Sequence, residues 1–447
     1  MPADAALRRV GAFTAACVLV SNAVGSGIFT TTGFLSRDLG DPRLILLLWG
    51  LGGVLALAGA MSYSELGAAL PRVGGEYVYL RRTFGPLCGF MSGWTSFTIG
   101  FSAAIAAAAV SFGHYLLELV PEGAPRPAPA ALALLLVWIL TGIHALGVER
   151  GGSFQRFITV LKIGGIGLLV AAGFAFGQGR WANVATASAV VEPGLGAGAV
   201  GLIFVLYSFS GWNAAGYIAG EIREPGRNLP RAMVGGTLFI SALYLAVNLV
   251  YFYALPVDAL AREPVLPVAE KAAAALFGTT AAQVVVGVLC VSIAGAISSM
   301  IWAGPRVYWA MAEDGVAPAL LGRTSRSHAP VHAIALQSLW ITVLIVSGTF
   351  EQLVVYSGVA LALFSALAVG SVIALRRREP DLPRPYRVAF YPWLPLLYIA
   401  ASLLIAGYAT LERPRESLLS IATVLVGIPF YLFWSRRRPA RPRSVVP

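Results

Sequence analysis

The stretch from Gly11 to Ser36, GAFTAACVLVSNAVGSGIFTTTGFLS, decides the fold class. It carries no charged residue, and about 20 apolar residues are enough to cross the hydrocarbon core of a bilayer. Gly25-Ser26-Gly27 interrupts it about 15 residues in, near what would be mid-membrane. Glycine inside a helix costs roughly 1 kcal/mol relative to alanine. In lipid every backbone polar group must also find a partner, so a break there must line a cavity or be buried in protein. If the helix unwinds at Gly25, a second half-helix starts at Ser26–Phe29 and its free N–H groups form an anion site suited to a carboxylate. Close packing through small residues is the competing reading of any single glycine, in a chain that has 49 of them.

Similar apolar stretches recur to the end of the chain, near 43–70, 84–118, 128–148, 156–178, 197–220, 232–256, 281–311, 332–348, 352–375, 391–410 and 417–434. With 11–36 they make twelve candidate spans. Of the 447 residues, 57% are hydrophobic and 12% charged, where a soluble domain needs about 25% charged residues to cover its surface. A lipid bilayer is therefore the surrounding medium. Arg8 and Arg9 ahead of the first run resemble a signal peptide, but the run extends to Thr32 and further spans follow, so it is read as a retained helix. Cys17, Cys88 and Cys290 each sit in an apolar segment and give neither a disulfide framework nor metal spacing.

The net charge of +11 does not point to nucleic acid, because the basic residues lie in short clusters between spans. Counted on the two sides of a twelve-span chain they divide 23 against 8, with Lys162 inside a span. The bias places both termini in the cytoplasm. It also gives spans 1–5 and 6–10 opposite orientations, as an inverted repeat requires.

A second interruption lies in the sixth span, Tyr207-Ser208-Phe209-Ser210-Gly211-Trp212-Asn213. Carbonyls freed there, at Tyr207, Ser208 and Ser210, can accept from an ammonium. Two broken helices at equivalent places in two repeats mark a transport site, and amides facing carbonyls suit a zwitterion.

Several motifs, in order and at matching spacing, carry a family resemblance. They are Gly25-Ser26-Gly27-Ile28-Phe29, Tyr63-Ser64-Glu65-Leu66 through Pro71, Gly74-Gly75-Glu76-Tyr77, and Phe209 to Asn213. Glu224-Pro225 through Ala232, Arg306-Val307-Tyr308 and Asp314-Gly315 follow. The chain thereby resembles the amino acid–polyamine–organocation (APC) superfamily, and within it bacterial relatives of the L-type amino acid transporters. The resemblance implies an all-α membrane protein of twelve transmembrane helices in a LeuT-type 5+5 inverted repeat with helices 1 and 6 broken. It divides the single domain 1–447 into repeats at 1–178 and 197–375, two further helices at 391–434 and a cytoplasmic tail at 435–447. It implies that amides of Ser26, Gly27 and Ile28 hold a substrate carboxylate. The carbonyls of Ala23, Tyr207, Ser208 and Ser210 hold the amino group, with Gly25 and Phe209 completing the site and Tyr207 closing over it. Eukaryotic relatives link a glycoprotein partner through a cysteine in the third-to-fourth helix connection. Val120–Ala130 has none, so no disulfide-linked heavy chain is expected.

Lys162 stands alone in the fifth span. An intramembrane ionisable group is a functional candidate, and snorkelling toward Arg156 is the alternative. The resemblance implies that its ammonium stands where sodium-coupled relatives bind sodium, bridging the first helix and Ser298 and Ser299 of the eighth. Sodium-independent transport follows.

Spans 3, 6, 8 and 10 contain no Asp, Glu, Lys or Arg between their ends apart from Arg306, toward the cytoplasmic end of span 8. An unpaired buried charge is costly, so the expected substrate is a neutral L-amino acid, small or medium in size. Glu65, Glu76, Glu221 and Glu224 lie near arginine-rich loops and are read as ion-pair partners. His114 and His144 are placed at the outer interface or in helix contacts. No ATP-binding GxxxxGK[ST] occurs, no cofactor is called for, and no enzyme is expected for want of paired carboxylates or clustered histidines. The rival readings are an APC permease for polyamines, organic cations or cationic amino acids, and a non-transporting amino-acid sensor.

Overall fold

The computed structural model describes residues 10–121, 125–146, 151–189, 191, 194–325 and 330–436, with the side chains of 151–156 and 436 left out. Arg8, Arg9, Arg150, Arg326, His328 and the basic tail after Arg436 lie outside the described residues, as does the side chain of Arg156. Among the described residues there is no strand, only an isolated bridge between Val10 and Ile222.

Each apolar stretch is helical. The first is split into α1 (Ala12–Ala23) and α2 (Ser26–Leu39), followed by α3 (Pro42–Ala69). A short α4 (Glu76–Phe84) leads into α5 (Pro86–Thr95) and α6 (Phe101–Leu117), which a π-helical turn, Ser96–Gly100, joins into one span. Then come α7 (Pro129–Ala145), α8 (Gly151–Phe176), the single turn α9 (Ala182–Ala185) and α10 (Leu195–Phe209). After the second break lie the turn α11 (Ala214–Tyr217) and α12 (Pro225–Ala254). Two short helices, α13 (Val257–Ala261) and α14 (Val268–Phe277), precede α15 (Thr279–Glu313). The chain closes with α16 (Val331–Ser347), α17 (Phe350–Arg378), α18 (Trp393–Glu412) and α19 (Pro414–Arg436). Among the described residues nine helical spans are long and apolar enough to cross a membrane, and α7, α10 and α16 are shorter apolar helices. The protein is a multi-pass membrane protein.

The bundle is built around α1, α2, α6, α10 and α15. The first span and the α5–α6 span are mostly buried in protein, whereas α18 and α19 face outward with Leu403, Leu404, Leu418 and Leu425 exposed. Burial of apolar area cannot drive association in lipid, so close approach through small residues matters instead. The run Ala103-Ala104-Ile105-Ala106-Ala107-Ala108-Ala109 of α6 is fully packed for that reason. The π-helical turn displaces backbone carbonyls, and side chains reclaim them. Trp340 Nε1 donates to Thr98 O at 2.7 Å and the Tyr308 hydroxyl to Ser96 O at 3.3 Å. Such turns recur at functional sites.

Candidate functional site

The first helix stops where the glycine pair predicts. Beyond Ala23 the backbone turns away from helical values at Val24 (φ −76°, ψ 85°), and Gly25 (φ −130°, ψ −146°) leads into α2. The last carbonyls of α1 and the first amides of α2 therefore have no partner within a helix. Lys162, on α8 and 1% exposed, donates from Nζ to the carbonyls of Ser21 and Val24, both at 2.8 Å. A cation at a helix C-terminus is doubly favoured, by charge and by hydrogen bonding.

The second break follows Phe209. Ser210 adopts ψ 132° and Gly211 φ +109°, after which the chain turns through Trp212 and Asn213. The two breaks touch. A Cβ on Gly211 would lie 2.7 Å from the Ala23 nitrogen, and one on Gly27 would lie 2.6 Å from the Ser208 Cα. The left-handed φ and the contact both require glycine at 211. The Tyr244 hydroxyl of α12 lies 2.7 Å from the Ala23 carbonyl oxygen and 2.8 Å from that of Ser208, bridging the two breaks. Thr31 and Ser208 share a further hydroxyl contact at 3.0 Å.

A cavity of about 110 Å³ lies beside the breaks. Of the predicted site residues it is lined by Tyr207 and Ser210. Ser26, Gly27 and Ile28 do not line it, and the hydroxyl of the lining residue Tyr207 meets Ser26 Oγ at 3.1 Å. Ala23 and Ser208 do not line it either, and their carbonyls are engaged by the Tyr244 hydroxyl. Phe209 points elsewhere, its ring tilted against Trp49 and edge-on to Tyr244. At 100° per residue, positions 207, 208 and 209 must face three directions. The expected bridge from Lys162 to the eighth span is not made. Ser298 Oγ pairs with His144 Nε2 at 2.8 Å, and Ser299 Oγ donates to Ala296 O in its own helix.

Residues 10–428, almost the whole described chain, match the family model for amino acid permeases. The chain belongs to the amino acid permease family. The permease is 28% identical to the serine/threonine exchanger SteT of Bacillus subtilis, over 96% of this chain and 98% of that protein. It is 26% identical to the large neutral amino acids transporter small subunit 2 of Mus musculus, over 96% and 82% of the two chains. To the b(0,+)-type amino acid transporter 1 of Mus musculus it is 27% identical, over 96% and 88%.

The permease's cavity has walls the sequence reading did not assign. Ser96 and Gly100 enter from the π-helical turn, and Tyr398, Ser402 and Ile405 from α18. Asn22 and Asn213 flank the two breaks, and their polarity inside apolar runs was the available signal. Spans 3, 6, 8 and 10 supply no charge to the wall, as expected, but α4 supplies Glu76. The ion-pair reading holds for Glu65, which takes a bidentate bond from Arg376 (2.8 and 2.6 Å) and lies 3.7 Å from Arg384. It holds also for Glu221, 3.4 Å from Arg306. For Glu76 it fails. Its Oε1 accepts from the Tyr63 hydroxyl at 2.7 Å and from Asn213 Nδ2 at 3.1 Å, and no basic side chain among the described residues pairs with it. The arginines of this end are engaged elsewhere: Arg81 pairs with Asp314, and Arg82 with Glu379.

Proposed function

We propose that the permease is a sodium-independent secondary transporter that carries small neutral L-amino acids by alternating access, through exchange or proton coupling. The observation that carries the reading is the meeting of two helix breaks beside a small cavity. Amides at the first break suit a carboxylate, and carbonyls at both suit an ammonium. In this reading the Tyr207 ring swings aside to admit the substrate backbone to Ser26, Gly27 and Ile28. The cavity is small beside the roughly 300–1,000 Å³ of sites for drug-sized ligands. Its neutral spans and the serine/threonine exchanger among the relatives favour small, uncharged side chains. Lys162 supports sodium independence, since its ammonium already occupies carbonyls at the break that a metal ion would otherwise coordinate.

The same reading takes the nine long and three shorter apolar helices as twelve spans, with repeats at 1–178 and 197–375 and two further helices at 391–434. It places both termini, and the tail from 435, in the cytoplasm of a cell with this protein in its inner membrane, on the 23-to-8 basic bias. No disulfide-linked partner is included.

The test is uptake of radiolabelled alanine, serine, leucine, arginine and glutamate into proteoliposomes. It is run with and without internal amino acid, a sodium gradient and an inward proton gradient. Uptake of alanine or serine that ignores sodium supports the reading. Dominant arginine uptake, or uptake that needs sodium, overturns it.

A further inference from the structure

Glu76 is the one cavity-lining acid that the transport reading leaves without a role. Its residue is 4% exposed. It opens α4 directly after Gly74 and Gly75, both in the left-handed φ region. Gly75 seats it against Tyr217: a Cβ there would lie 2.5 Å from the Tyr217 ring. The groups around it are phenols: Tyr63 of α3 bonds to it, Tyr79 of α4 packs edge-on against Tyr63, and Tyr217 of α11 and Tyr398 of α18 line the same cavity. Charged groups nearby are already committed. Glu65 on α3 is held by Arg376 and Arg384, Arg81 on α4 by Asp314, and Arg306 on α15 by Glu221.

The hydrogen-bond pattern is asymmetric. Both donors, Tyr63 and Asn213, converge on Oε1, while Oε2 has no partner among the described residues. A carboxylate would gain by having donors on both oxygens. A carboxylic acid is matched by this pattern, with Oε1 as carbonyl and Oε2 carrying the proton. The bonds from Tyr63 and Asn213 favour the charged form, but burial without a counter-charge outweighs them and pushes the carboxyl up.

We propose that Glu76 is a proton-binding site of the transport cycle. It holds one proton on Oε2 while packed among these phenols and releases it to water when the cycle opens that packing. This rests on the transport reading above and names the group through which a proton gradient would act. A carboxylate gains one proton and later loses it, so no other reactant is needed.

Two measurements test it. Proteoliposome uptake of alanine gives, for each variant, the ratio of uptake with an inward proton gradient to uptake without one. The wild type should show several-fold stimulation, and Glu76→Gln, which mimics the neutral acid, a ratio that falls to unity. Equal ratios in the two proteins overturn the proposal. Infrared difference spectra of wild type minus Glu76→Gln at neutral pH give the second readout, which needs no substrate. A protonated-carboxyl band supports the proposal, and its absence overturns it. If the band is present but no amino acid is carried in any mode, proton binding stands and the transport reading falls.

Discussion

The Lys162 ammonium donates to the carbonyl oxygen of Val24 at 2.8 Å, at the residue where the first helix stops. With Ser21 it satisfies two carbonyls that the break has orphaned. Lys162→Met keeps the apolar stem and removes both bonds. Each buried acceptor left unpaired costs about 1–3 kcal/mol, so thermal unfolding in detergent should move down clearly. Alanine uptake should collapse with it. Wild-type uptake by Lys162→Met would remove the cation argument.

Gly27 and Ser208 are in contact through backbone as well as side chain. Overpacking of this kind costs typically about 1–3 kcal/mol, so Gly27→Ala should lower both unfolding temperature and substrate affinity. Pairing it with Ser208→Ala should not restore either, because the Ser208 Cα lies 2.6 Å from the new Cβ. Full rescue in a thermal-shift or uptake assay would show that only the hydroxyl was in the way.

Tyr244→Phe removes one hydroxyl and leaves the ring in its edge contacts with Phe209 and Trp49. The carbonyls of Ala23 and Ser208 then lose their shared donor, at about 1–3 kcal/mol. Exchange should slow more than binding weakens, since the bridge positions the two breaks relative to each other. Comparing half-saturation with maximal rate of uptake checks this.

Glu65 and Glu379 make opposite predictions from similar contacts. Glu65 is buried, so Glu65→Gln leaves Arg376 and Arg384 short of a counter-charge at about 3–5 kcal/mol. Arg82 is more than half exposed, and Glu379→Gln should cost no more than about 1 kcal/mol. Unfolding temperatures of the two variants, compared with the wild type, decide it.

The raised Glu76 carboxyl has a consequence for stability as well. The folded state holds its proton more tightly than the unfolded chain does, so stability relative to Glu76→Gln should fall as pH rises above the ordinary carboxylate range. An unfolding-temperature difference that is flat from mildly acid to mildly alkaline pH would contradict this.

The long apolar helices were legible because a bilayer demands uninterrupted hydrophobic length. The breaks were legible because Gly25-Ser26-Gly27 and Ser210-Gly211 stand at corresponding places in the first and sixth apolar runs. A glycine pair alone does not mark one, since Gly52-Gly53, Gly164-Gly165 and Gly235-Gly236 lie inside continuous helices. The short helices α4, α13 and α14 escaped notice, since each mixes charged or polar residues into a length too small to span lipid. Glu76 shows the limit most sharply. In the chain it stands five residues from Arg81, and proximity suggested a partner. Only the fold reveals that Arg81 turns to Asp314 while Glu76 turns inward. Likewise Ser298 matched the lysine's expected partner by position, but the structure brings His144 to it instead.

A positive charge delivered on a covalent stem has no concentration. The Lys162 ammonium reaches Ser21 and Val24 without surrendering translational freedom, and dilution cannot empty its place. A diffusible ion in that position would make the architecture of the first break a function of the surrounding brine. Tethering makes it a constant of the molecule, equally in force in salt-poor and salt-rich surroundings. The exchange is a loss of leverage, because a fixture that never departs cannot be drawn down a gradient.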